Sequence, residues 1–145
     1  MIVRGWVVLA GLAVVATIIA VIVDLVPPTE DGYRSTVLTS ARDARSAVLT
    51  AAQLGDAAQH GRVTTLYLDS AVEDARADVT TAISDLVDAD VPGPGSQELR
   101  DRVLPLLTES SARISDVATA GDDHNALAIA TNDLRRLADA LGGVS

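Results

Sequence analysis

The chain has 145 residues and a formal net charge of −9, carried by 20 acidic and 11 basic residues. It has no cysteine, which excludes disulfides, thiolate metal sites and a thiol nucleophile. An acidic chain is repelled by nucleic acid and by anionic headgroups, so nucleic-acid binding is not expected.

The first element is the uncharged stretch at residues 5–23, GWVVLAGLAVVATIIAVIV. It is long enough to cross a bilayer as a helix. A cleaved signal peptide would have a shorter apolar core and a small-x-small cleavage site. Here Asp24-Leu25-Val26-Pro27-Pro28 follows instead. Residues 1–26 are therefore predicted to be an uncleaved transmembrane anchor, with Trp6 as an interfacial aromatic. Arg4 and the amino terminus precede the stretch, whereas Asp24, Glu30 and Asp31 follow it before Arg34. The positive-inside rule puts the N-terminus in the cytoplasm and residues 29–145 on the periplasmic side of a bacterial membrane. Within the anchor, Trp6, Ala10, Ala13, Thr17, Ala20 and Asp24 fall on one stripe. Small residues so spaced let a second membrane helix approach closely, and Asp24 sits where a cationic group of an integral membrane partner could meet it.

Pro27-Pro28 ends that element, because proline lacks the N–H a helix interior needs. Thr29 can cap the next helix, with Glu30 and Asp31 favourable in its first turn. Val37, Ala41, Ala44, Val48, Ala51, Gly55 and Ala58 then alternate in steps of four and three, the seam of an amphipathic helix. Gly61 reads as its stop. The second helix carries the same alternation at Leu68, Val72, Ala75, Val79, Ala82, Leu86 and Ala89. Thr64 or Thr65 can cap it, and Ser70-x-x-Glu73 is a rival capping box. The loop Val91-Pro-Gly-Pro-Gly-Ser96 leads to a third helix, with Ser96 as expected cap and Leu99, Val103, Leu106, Ile114 and Val117 on its face. Pro105 lies inside it and should kink it or delay its start. Gly121 ends it. Asp122 or Asp123 caps a fourth helix bearing Leu127, Ala130, Leu134, Leu137 and Leu141, and Gly142-Gly143 stops it. The fold class is all-α: one transmembrane helix, then an antiparallel up-down four-helix bundle whose first two helices are the longest.

The residues that could carry chemistry are few. His60 precedes the glycine stop, and His124 lies in Asp122-Asp123-His124-Asn125, which reads as a capping segment. No second ligand set has metal spacing, and no Glu-x-x-His is present. Asp69, Glu73, Asp74, Asp78, Asp85 and Asp88 run along the second helix. Paired carboxylates can hydrolyse glycosides, but such a series is also the wet face of an acidic helix, and that is the reading taken. Neither catalysis nor a cofactor is expected.

Every basic residue is Arg, and Phe is missing as well as Cys, which fits a GC-rich bacterial source such as an actinobacterium. The layout resembles the small single-pass accessory subunits of actinobacterial membrane complexes, such as those of the respiratory bc–cytochrome oxidase supercomplex. The shared features are a short cytoplasmic start, the anchor, the Pro27-Pro28 break and an external helical domain. That resemblance implies a stabilising or assembly role in a hetero-complex, with no redox group of its own. The alternative is an extracytoplasmic ligand-sensing bundle. With only Met1–Arg4 on the inside, it would have to signal through a partner membrane protein.

Overall fold

The computed structural model describes residues 29–144, and all the regular structure among them is helical. The predicted membrane anchor and its stripe of Trp6, Ala10, Ala13, Thr17, Ala20 and Asp24 lie outside the described residues. Among the described residues no helix is long and apolar enough to cross a membrane.

The four helices are α1 (Glu30–Gln59), α2 (Thr65–Asp88), α3 (Pro94–Ala120) and α4 (His124–Gly142). Thr29 caps α1, its Oγ1 accepting from Gly32 N at 3.1 Å, with Glu30 and Asp31 in the first turn. Thr64 caps α2 in the same way, accepting from Tyr67 N at 3.3 Å. The rival box at Ser70 falls inside α2, where Glu73 pairs with Arg76 instead. Asp123 caps α4 twice over, its Oδ1 accepting from Asn125 N and Ala126 N. Gly61 and Gly121, which end α1 and α3, both adopt positive φ, the conformation that favours glycine.

Helix α3 departs from expectation at its start. Its cap is Gly93, in extended conformation and without a side-chain cap bond, and Pro94 takes the first helical position. Proline suits that position because its missing N–H would have no partner there and its φ is already helical. Ser96 is instead buried inside the first turn. Helix α3 then runs unbroken through Pro105. That proline is exposed, so the Asp101 carbonyl it leaves unbonded can turn to water. With α3 at 27 residues against 24 for α2, the first and third helices are the longest, not the first and second.

The chain order gives an up-down-up-down bundle. Residues of α1 and α4 meet in opposite order: Arg45 Nε donates to Ala138 O at 3.0 Å, and Arg135 Nη2 lies 3.5 Å from Asp56 Oδ1. Residues of α1 and α3 meet in the same order, Glu30 beside Gly93 and Gly55 beside Val117. Helix α1 packs on all three others, whereas α2 and α4 do not meet, so the cross-section is a rhombus with α1 and α3 on its short diagonal. The sequence of α1 explains its central place. Beyond Tyr33 in its first turns, its buried face is mostly small, with Ser40, Ala41, Ala44, Ala47, Ala51, Ala52 and Gly55 beside Val37 and Val48, and side chains this small admit neighbours closely. The larger volume comes from Leu86, Leu107, Ile114, Leu127 and Leu134, all fully buried.

Candidate functional site: an acidic groove between the first two helices

Along the outside of the α1–α2 seam runs an open groove of about 580 Å³. Four aspartates line it: Asp43 from α1, and Asp74, Asp78 and Asp85 from α2. Positions 74, 78 and 85 fall on a single stripe of a helix with 3.6 residues per turn, about 16 Å long. Beside that stripe lie Ala71, Ala75 and Ala82, which with Ala47 of α1 give the groove an apolar lining of methyl groups. Ser40, Ser46, Thr50 and Thr81 supply hydroxyls. Among the described residues, no arginine and no bulky apolar side chain lines it.

The groove is acidic because none of the arginines among the described residues lines it, and five of them pair with carboxylates elsewhere. Arg76 forms a bidentate pair with Glu73, at 2.8 and 3.1 Å. Arg102 pairs with Glu98, and Arg135 reaches Asp56. Arg113 ties α3 to α4, with Asp116 at 2.9 Å and Asp133 at 3.8 Å, and Arg136 also binds Asp133. None of the groove aspartates forms a salt bridge among the described residues. The Arg76 partnership also holds the Glu73 carboxyl below the usual carboxylate range, with the hydrogen bond as the main cause.

Three of the carboxylates picked out along α2 in the sequence therefore converge on one surface. The other three do not: Glu73 belongs to its arginine, Asp88 accepts from Ser84 Oγ at 3.0 Å, and Asp69 lies outside the groove. Sequence periodicity could not supply Asp43, which joins the set only because α1 packs antiparallel to α2.

The histidines stand apart. His60 Nδ1 lies 2.7 Å from the Asp56 carbonyl oxygen at the end of α1, and His124 opens α4. Among the described residues no three histidine or carboxylate side chains come close enough to hold a metal ion. The groove aspartates are strung out along a line rather than gathered about one point. No protein-family model, curated protein or solved structure matches this chain.

Proposed function

We propose that the protein works by binding, as a non-catalytic accessory or assembly subunit of a bacterial membrane complex. The observation that carries this reading is the segregation of charge. Arg76, Arg102, Arg113, Arg135 and Arg136 pair with carboxylates elsewhere, while four aspartates without a salt-bridge partner share one open groove that no arginine of the described residues lines. Leaving that much repulsion on one surface makes sense if a basic partner relieves it. The apolar stretch at residues 5–23 would tether the bundle to the outer face of the membrane. Its stripe at Trp6, Ala10, Ala13, Thr17, Ala20 and Asp24 would supply a second contact. Two contacts on one chain raise each other's effective concentration, so neither needs to be tight alone. The layout inferred from the sequence resembles that of accessory subunits of respiratory supercomplexes, and that assembly is the first partner to test.

The experiment is purification of the full-length chain from mildly solubilised membranes. The expected result is stoichiometric co-elution with an integral membrane partner. Ala13→Leu with Ala20→Leu keeps the anchor apolar but adds bulk to the stripe, and should release the chain while leaving it inserted. A chain that elutes alone under the gentlest conditions overturns the reading.

A further inference from the structure

We infer that the α1–α2 groove is the docking site for a basic helix of the partner, one that carries Arg or Lys on a single stripe. This rests on the binding function proposed above and names the partner's chemistry.

Four features of the groove converge on that occupant. Its charge is uniformly negative, with no cation among the lining residues. Its carboxylates at 74, 78 and 85 repeat with helical spacing, so a second helix lying alongside can match them with Arg or Lys at the same intervals. Its apolar lining at Ala47, Ala71, Ala75 and Ala82 resembles the Ala-rich seam by which α1 already accepts three neighbours, and small side chains permit another helix to approach. The fourth feature is Ser40. It is only 6 % exposed and lines the groove, yet its hydroxyl bonds to nothing among the described residues. By contrast, Thr50 and Thr81 in the same groove donate to the carbonyls of Ser46 and Ala77. The side chain is nearly buried but its oxygen stays open to the groove, so it is placed to accept from a guanidinium or ammonium group entering there.

A small ligand fits less well. Small-molecule sites are concave and mostly apolar or aromatic, whereas this groove is open and its lining is alanine, serine, threonine and aspartate. An arginine on a docked helix brings its own apolar stem to lie on the alanines and its charge to the aspartates.

The test uses the full-length protein in zwitterionic detergent and three probes, read by fluorescence anisotropy or calorimetry. The first is an Ala-rich helical peptide with Arg at i, i+4 and i+11. The second has the same composition with its arginines spread around the helix. The third is spermine. The striped peptide should bind about tenfold tighter than the scattered one. Asp74→Asn with Asp78→Asn should weaken its binding about tenfold, helix content being checked by circular dichroism. Ala71→Leu keeps every charge but fills part of the groove, and should also weaken the striped peptide. Equal binding of the two peptides, or no effect of Ala71→Leu, reduces the groove to a diffuse negative field and overturns the inference. Spermine binding as tightly as the striped peptide assigns the groove to a small polycation and overturns it too. Failure here, with co-elution of the membrane partner intact, leaves the accessory function standing and moves its contact elsewhere. Loss of co-elution removes that function whatever the peptides do.

Discussion

Tyr33 is the residue at which burial and polarity conflict most plainly. It sits in the first turns of α1, is only 5 % exposed, and its hydroxyl is buried without a hydrogen-bond partner among the described residues. Burial pushes the phenol's pKa up, with Asp101 adding to the rise and Arg100 opposing it. The consequence for stability has a definite sign. Below about pH 10 the phenol is neutral in both folded and unfolded chains and contributes nothing to pH dependence. Above that, the unfolded chain releases its proton while the folded chain resists, so folding loses stability as pH rises. Tyr33→Phe removes the unbonded hydroxyl and keeps the ring. It should leave stability at pH 7 unchanged or raised by up to about 1 kcal/mol, and should blunt the alkaline loss. Urea melts at neutral pH and above pH 10 measure both. A phenylalanine variant much weaker at pH 7 would mean that the hydroxyl has a partner after all.

At the scale of elements, the contact that fixes how α1 sits against α4 is Gly55 on Thr131. A Cβ built on Gly55 would run into Thr131 Oγ1 and would touch Val117 Cγ1 at 3.6 Å. Thr131 is buried and β-branched, and its Oγ1 accepts from Gln59 Nε2 of α1 at 3.4 Å, so it has little room to give. At an exposed helix position, alanine in place of glycine gains about 1 kcal/mol. Here Gly55→Ala should cost about 1–3 kcal/mol through overpacking. In a Thr131→Ala background the oxygen is gone, and the same change should become neutral or stabilising. Denaturant melts of the four proteins in that cycle give the coupling, and additive effects would show that the two helices are not in contact there.

The same contact marks what the sequence could convey. The seams of α1, α2 and α4 were legible because Ala, Val and Leu recur there in steps of four and three, and Gly55 appeared in the α1 seam. Its partner could not, since Thr131 breaks the apolar pattern of α4. Helix α3 was harder for a related reason. Its buried line runs through Ser96, Val103, Leu107, Ser110, Ile114 and Val117. Two serines hide the alternation, so the sequence points to Leu106 as the facing leucine, although Leu107 is the one fully buried and Leu106 is only partly so. Ser110 tolerates its position because its hydroxyl donates to Leu106 O at 2.7 Å, a bond within the helix that no periodicity reports. Of the groove, the stripe at 74, 78 and 85 was visible but looked like any wet face. Its meaning depends on Asp43 and Ser40 arriving from another helix and on no arginine of the described residues lining the groove.

For the molecule as a whole, the decisive quantity is the distribution of its negative charge. A net charge of −9 repels itself over the whole surface, and the α1–α2 groove concentrates that repulsion. Asp74 and Asp78 are four residues apart on one helix, a like-charge spacing that itself opposes helix formation. Screening should therefore stabilise the bundle. Between about 10 mM and 150 mM salt the Debye length falls from roughly 30 Å to 8 Å, enough to separate the two walls of the groove electrically from the rest of the surface. Tm should rise over that range. Asp74→Asn with Asp78→Asn should raise Tm at low salt by about 4 °C, or about 1 kcal/mol, and should flatten the salt dependence. Thermal melts of parent and variant across a salt series decide it. A parent Tm indifferent to salt, or a variant as salt-sensitive as its parent, would mean that the groove aspartates are not under strain. A bundle stabilised by losing charge from its groove is one whose folding alone does not account for that charge, as the proposed docking of a basic helix requires.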